Sequence, residues 1–260
     1  MARGVLLALL ASSAGLAAAT SLRPNQRLPN QRLRAGAWND TFDAYDATIW
    51  TQQTDIEHCS DGACFAARVD HISYGAEGIR LDLNQRPCNS TKGGCCVGSK
   101  CASWASGHIA TAQSYLYGTY TIRLQPAHSL AGGVPAKNTF SCWTPTYVGT
   151  PHNEIAVCFS GLKGTGTEIH YSYWYDSTAH TTIAQLPFRW SDAMHTYQVV
   201  WAPTQIDFLV DGEVKHTVTG TKATIPFTAG YSALILRPKD DNYIADSAYA
   251  AQWMSYDPSY

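Results

Sequence analysis

The sequence has few charged residues and, after its first 19 positions, no long hydrophobic run. Asp, Glu, Lys and Arg together make up 15% of the 260 residues, below the quarter or so that is usual in globular domains. No later apolar stretch reaches the roughly 18 residues that a membrane span requires. The formal net charge is −2, and no basic stripe follows the N-terminal region. These absences predict a protein with no membrane span and argue against nucleic acid as a partner.

Metal-binding patterns are also absent from the sequence. There is no HExxH segment and no acidic loop with EF-hand spacing. The cysteines form neither CxxC nor CxxH pairs, which argues against a zinc knuckle. We therefore predict no metal and no cofactor.

The N-terminal region has the features of an export signal. Arg3 supplies a positive charge, Val5 to Ala19 are apolar or small, and three alanines end this run as a small-residue cleavage site. Residues 1–19 are therefore predicted to be a signal peptide and the protein to be secreted. Residues 20–36 repeat the pentamer PNQRL and carry four arginines but no acid, which is typical of a flexible basic arm.

Two further features agree with export. The chain has eight cysteines, which in a secreted protein predict disulfide bonds, although eight cysteines allow 105 pairings. Asn39 and Asn89 each begin an Asn-x-Ser/Thr sequon, and we predict N-glycosylation at both.

Residues 37–260 show strand signals rather than a helical period longer than a turn or two. Runs rich in Tyr, Ile, Val, Thr and Phe occur at 114–125, 138–144, 153–159, 168–175, 196–202, 205–218, 231–238 and 248–256. Asp211-Gly212 between two alternating runs predicts a type I′ hairpin turn. Regular strands broken by turn residues predict an all-β, two-sheet sandwich, which at this length forms a single domain.

The segment HNEIAVCFSG, at 152–161, combines a core pattern with an unusual second face. Ile155, Val157 and Phe159 share one parity, whereas Glu154, Ala156 and Cys158 share the other. Strict alternation predicts a half-buried strand whose apolar set faces the core. The other face then presents a carboxylate, a methyl group and a thiol.

Between about Ser106 and Val218 the chain resembles glycoside hydrolase family 16. The segments that carry the resemblance, in the family's order, are ASGHIATAQSYLYGTYTIRLQPA, EIAVCF and DAMHTYQVVWAPTQIDFLVDGEVKHTV. The resemblance implies a concanavalin A-like jelly roll with a curved concave groove. It also implies retaining cleavage of a β-glucan-type polysaccharide by two carboxyl groups about 5–5.5 Å apart.

The resemblance assigns roles to three positions of the catalytic strand, which the family writes Glu-Ile-Asp-x-Glu-Phe. Glu154 stands at the nucleophile position. Ala156 replaces the assisting Asp, and Cys158 replaces the acid/base Glu. A thiol titrates near 8.5 and is a weak hydrogen-bond donor, so it is a poor substitute for the acid.

Neighbouring strands are expected to complete the groove. A hairpin joining 153–159 to 168–175 would place His170, Ser172 and Trp174 opposite Cys158, Ala156 and Glu154. The resemblance further implies that four residues of the two preceding strands point into the groove: Thr121, Arg123, Ser141 and Trp143.

The chemical state of Cys158 has two interpretations. It could be a free nucleophile, with His170 as its base in the expected register; His152 is roughly 20 Å away along the strand and cannot serve. Alternatively, it could form a disulfide with Cys142. That pairing conflicts with an inward-facing Trp143, because strand neighbours face opposite ways.

Three functions fit these residues. The first is binding of a β-glucan-type polysaccharide in the groove without normal hydrolysis. The second is non-glycosidic chemistry, such as cyclisation or cycloaddition, on a small apolar molecule held in an aromatic pocket. The third is residual glucanase or transglycosylase activity of Glu154 with another acid, for which Asp176 and Asp192 are the nearest candidates in sequence.

Overall fold

The computed structural model describes most of the chain after residue 35. The described residues are 36–54, 56–60, 63–85, 96–97, 100–101, 104–130, 135–136, 139–161, 165–238 and 246–260, all within one compact unit, 33–260. The predicted signal peptide, the basic arm up to residue 35 and the Asn89 sequon lie outside them. Asn39 is described and is exposed. None of the described helices has the length and apolar character needed to span a membrane.

Strands account for nearly all of the described regular structure, with one short 3₁₀ helix at Val69–His71. The strands are β1 (Trp38–Asp40), β2 (Trp50–Gln52), β3 (Ile56–Ser60), β4 (Ala63–Ala67), β5 (Ile72–Gly75), β6 (Gly78–Gln85), β7 (Cys96–Val97), β8 (Lys100–Cys101), β9 (Trp104–Ser106), β10 (His108–Thr111), β11 (Gly118–Ser129), β12 (Thr139–Val148), β13 (Asn153–Ser160), β14 (Glu168–Tyr175), β15 (Thr178–Gln185), β16 (His195–Ala202), β17 (Gln205–Val210), β18 (Glu213–Thr219), β19 (Tyr231–Pro238) and β20 (Ser247–Asp257).

Two large sheets form a sandwich. One contains eleven of the described strands, and its main path runs β18-β17-β16-β11-β20-β6-β9-β4-β3. The other runs β15-β14-β13-β12-β19-β10-β2. This arrangement confirms the predicted all-β jelly-roll sandwich. Both sheets place strands that are distant in sequence side by side, so the groove draws on residues from across the chain.

The core between the sheets follows the predicted alternation. Ile155, Val157 and Phe159 of β13 are buried in it. Tyr120, Ile122 and Leu124 of β11 meet them from the other sheet, each with no exposed surface. Burying one such large apolar side chain contributes about 1.5–3 kcal/mol. This packing fixes which face of β13 remains for the groove.

Most strands of the C-terminal half match the sequence prediction. β14 and β19 have the predicted bounds, and β20 closes the large sheet between β11 and β6. β15 was not predicted. Its residues, TAHTTIAQ, are exposed along almost the whole strand, so no apolar alternation marks it.

The β17–β18 hairpin turns as predicted. Asp211 and Gly212 have φ values of 50° and 84°, and Val210 pairs with Glu213 across the turn. Positive φ at both central residues defines a type I′ turn, whose twist matches that of the flanking strands.

We expect Gly212→Ala to lower the free energy of unfolding by about 1–2 kcal/mol, because an L side chain is disfavoured at positive φ. Gly75→Ala is the matched control, since a Cβ at either glycine would meet nothing within 4 Å and only Gly212 has positive φ. Urea denaturation of both variants measures the difference. Equal stabilities would contradict this account of the turn.

Candidate functional site

A cavity of about 480 Å³ lies on the face of the seven-stranded sheet that points away from the core. Its volume falls within the range of about 300–1,000 Å³ that is usual for ligand sites. Four strands of that sheet supply most of its wall: β12, β13, β14 and β19. Glu154, Ala156 and Cys158 form its central line along β13.

The β13–β14 register confirms the predicted hairpin. Glu154 pairs with Trp174, Ala156 with Ser172, and Cys158 with His170. All six side chains line the cavity.

A disulfide bond crosses the floor of the cavity. Cys142 of β12 lies directly opposite Cys158 of β13, with their Cα atoms 4.2 Å apart. This separation is close to that of directly opposed residues in a non-hydrogen-bonded pair of antiparallel strands. Both residues are buried at 6% and 5% exposure, although both line the cavity. Cys158 therefore carries no thiol proton in this state.

The disulfide resolves the question of which way β12 faces. Because Cys142 points into the cavity, its neighbours Ser141 and Trp143 point between the sheets, where neither has exposed surface. The Ser141 hydroxyl accepts the Ala127 N–H at 3.3 Å, and Trp143 belongs to the main core. The expectation that Ser141 and Trp143 line the groove is wrong.

Thr121 and Arg123 are also absent from the cavity wall. Both lie on β11, which belongs to the other sheet, and they alternate with its core-facing residues. Thr121 accepts a hydrogen bond from Gln198 at 3.0 Å, and Arg123 donates to Gln252 at 3.1 Å. Their assignment to the groove is wrong because the chain changes sheets between β11 and β12.

Glu154 is held by two polar neighbours. His152 Nε2 lies 2.8 Å from one carboxylate oxygen, and Thr144 Oγ1 donates to the other at 3.3 Å. The Glu154 side chain is 17% exposed. Its oxygens are thus oriented toward one end of the cavity, and no second acid faces them there among the residues that the structure describes.

Aromatic rings line the Glu154 end of the cavity. Tyr231 and Tyr147 have ring centroids 5.1 Å apart, Tyr147 and His152 5.2 Å, and His152 and Trp174 4.4 Å with nearly parallel planes. The four rings cross from β19 through β12 to β14. They form a continuous surface, which we call the aromatic row.

At the opposite end of the cavity, the lining residue His170 belongs to a second histidine–carboxylate pair. His170 Nε2 lies 2.9 Å from Oε1 of Glu168, a residue with 4% exposure. Phe140 packs edge-on against the His170 ring at 5.7 Å, and the Arg237 guanidinium lies 5.1 Å over Phe140. Between the two ends, the floor is apolar: Cys142, Ala156 and Cys158 cluster with Phe140 and Ile235.

Glu154 is the only carboxylate among the described residues that line the cavity. Asp176 lies in the β14–β15 turn, and Asp192 is bound to Arg189 on the surface. Neither of these candidates lines it. Glu168 is six residues along β14 from the partner of Glu154, or roughly 20 Å. That exceeds the separation of about 6.5–9.5 Å found even in inverting glycosidases.

Several cavity residues were not predicted. His152 shares the parity of Glu154 and is two residues away, so the alternation could have identified it. No local signal predicts Tyr231 or Arg237. Their strand, β19, reaches the cavity by pairing with β12, and more than 80 residues of sequence separate the two strands.

A family profile, Glycosyl hydrolases family 16, matches residues 60–255. The chain belongs to this family. It is 29% identical over 194 residues to a beta-glucanase of Bacillus subtilis, an alignment that covers 74% of this chain and 72% of that protein. A beta-glucanase of Paenibacillus polymyxa is 33% identical over 189 residues, covering 72% and 69%.

The fold agrees with this membership. A solved beta-1,3-1,4-glucanase (lichenase) derived from a mouse hindgut metagenome superposes with a TM-score of 0.70 at 22% identity. The superposition covers 85% of this chain and 99% of the lichenase chain. At this level of identity the superposition shows the jelly-roll fold alone.

We expect the Cys142→Ala/Cys158→Ala double variant to lower the free energy of unfolding by about 3 kcal/mol. The bond closes a loop with a sequence separation of 16, and loop closure of that length accounts for this magnitude. Urea denaturation measures the loss, and non-reducing peptide mapping should recover both cysteines in one cross-linked peptide. Separate peptides would contradict the pairing.

Proposed function

We propose that this protein is a secreted family 16 member that binds a β-glucan-type polysaccharide without hydrolysing it. The observation that carries the proposal is the disulfide at Cys158, the position that the family resemblance assigns to the acid/base glutamate. The features of an export signal in residues 1–19 support secretion.

Binding of a glucan is supported by the aromatic row and by the family. Sugar rings present apolar C–H faces that pack against aromatic rings, while a few polar groups fix their orientation. Glu154, Thr144 and Ser172 supply such groups beside Trp174. The beta-glucanase relatives and the lichenase act, by their names, on β-glucans.

The proposed loss of hydrolysis follows from the lack of a second carboxylic acid among the described residues that line the cavity. A disulfide sulfur has no proton to give to a leaving oxygen and cannot activate water. Removing a general acid/base costs about 10²–10⁴ in rate. Ala156 also leaves Glu154 without the assisting carboxylate that the resemblance places two residues along the strand.

The apolar floor favours a second candidate function. The disulfide, Ala156, Phe140 and Ile235 form an apolar cluster on the groove face of the sheet. A small apolar molecule held there between two polar ends could be preorganised for cyclisation or cycloaddition, which need no general acid. Retention on glucan distinguishes the two candidates.

We expect the protein to be retained on insoluble β-glucan and Trp174→Ala to weaken retention about tenfold, because the stacking surface is lost. Tyr260→Ala is the control, since that ring is 63% exposed and does not line the cavity. Pull-down isotherms measure both variants. Failure of the wild-type protein to bind β-glucan or xyloglucan would reject glucan binding.

We expect no turnover of soluble β-glucan by the wild-type protein. The triple variant Cys142→Ala/Ala156→Asp/Cys158→Glu restores carboxylates at the family positions and should give measurable reducing-sugar release. Adding Glu154→Gln to it should abolish that release. Wild-type turnover that Glu154→Gln abolishes would instead establish residual glucanase activity, with the acid supplied from elsewhere.

A further inference from the structure

The strand register brings together a cysteine, a histidine and a carboxylate at one end of the cavity, and the first two of them line it. Cys158 lies directly opposite His170, and His170 is hydrogen-bonded to Glu168. We propose that reduction of the Cys142–Cys158 disulfide unmasks Cys158 as a thiol nucleophile, with His170 as its base and Glu168 as the residue that orients His170. The proposal does not depend on glucan binding.

The strand geometry brings Cys158 and His170 within reach of each other. Directly opposed residues on antiparallel strands have Cβ atoms about 4.5–5.5 Å apart. In the oxidised state the Cys158 sulfur is bound toward β12, on the side away from β14. Once the bond is broken, rotation about χ1 can turn the thiol toward the His170 ring.

Glu168 fixes the state of the His170 ring. The His170 Nε2–H donates to Glu168 Oε1 at 2.9 Å, so Nδ1 of the neutral ring is left as the proton acceptor. Glu168 is nearly buried, and its backbone carbonyl accepts the Trp190 indole N–H at 3.1 Å. A buried carboxylate positioned in this way also stabilises the imidazolium that forms after proton transfer.

The chemistry requires an external dithiol reductant and an electrophile. The dithiol reduces the disulfide to two cysteine thiols and is itself oxidised to a disulfide. The Cys158 thiol then passes its proton to His170, and the thiolate attacks the electrophile. With iodoacetamide as the probe, a sulfur–carbon bond forms, the carbon–iodine bond breaks, and iodide leaves.

Cys142 provides a control within the same cavity. Its burial equals that of Cys158 to within one per cent, but its cross-strand neighbours are Cys158 and Ile235 rather than a histidine. Among the described residues, the titratable or charged groups that line the cavity around both sulfurs are His108 of β10, Tyr147 of β12, His170 of β14, Tyr231 and Arg237 of β19, and Glu154 and His152 on the β13 side.

The test follows iodoacetamide labelling of the dithiol-reduced full-length protein by peptide-resolved mass spectrometry from pH 5.5 to 9. We expect Cys158 to label about tenfold faster than Cys142 at pH 6, since an ordinary thiol is almost fully protonated there and a histidine-paired thiol is not. His170→Gln should reduce the ratio to about one. Thr181→Ala, at an exposed residue of β15 that lines the same cavity, should leave the ratio unchanged.

The Cys142→Ser variant frees Cys158 without reductant and tests the proposal if reduction unfolds the domain. Its Cys158 should show the same fast labelling at pH 6, sensitive to His170→Gln. Equal labelling of the two cysteines after reduction, a common pH profile, or a ratio that survives His170→Gln would overturn the proposal. Circular dichroism of each sample separates these outcomes from unfolding.

Discussion

The disulfide between β12 and β13 is the constraint on which the site depends. By joining two directly opposed residues, it fixes the register of the two central strands of the groove and the face that each presents. Trp143 must then enter the core, and Cys158 cannot act as a proton donor. One covalent bond thus determines both the packing beneath the sheet and the chemistry above it.

The polar groups lie at the two ends of the cavity. Glu154 and His152 line one end, and His170, which is hydrogen-bonded to Glu168, lines the other beside the disulfide. Each histidine bonds to a carboxylate two residues away on the same strand face, which satisfies polar groups that would be costly to bury unpaired. Under the proposed function, a ligand's C–H surface rests on the apolar strip between the two ends while its polar groups meet the ends.

Sequence patterns predicted local geometry better than the identity of neighbouring strands. The β13–β14 register was correct because the two strands are joined by a short loop and alternation leaves few choices. Thr121 and Arg123 were misplaced because a period of two shows that a strand has two faces, but not which sheet contains it. Tyr231 and Arg237 reach the cavity through pairing of β19 with β12, which no local signal reveals. β15 has no buried face to produce a pattern.

The structure also indicates why such a site can persist in a folded domain. On β13 the core of the sandwich uses Ile155, Val157 and Phe159, so the side chains at positions 156 and 158 take no part in that packing. Carboxylates held close together repel each other, and the alanine and the disulfide at these positions place no further charge beside Glu154. The fold is therefore compatible with an alanine and a disulfide at these two positions. The aromatic row and the Cys142–Cys158 disulfide therefore lie on neighbouring strands of one groove and depend on different residues of those strands.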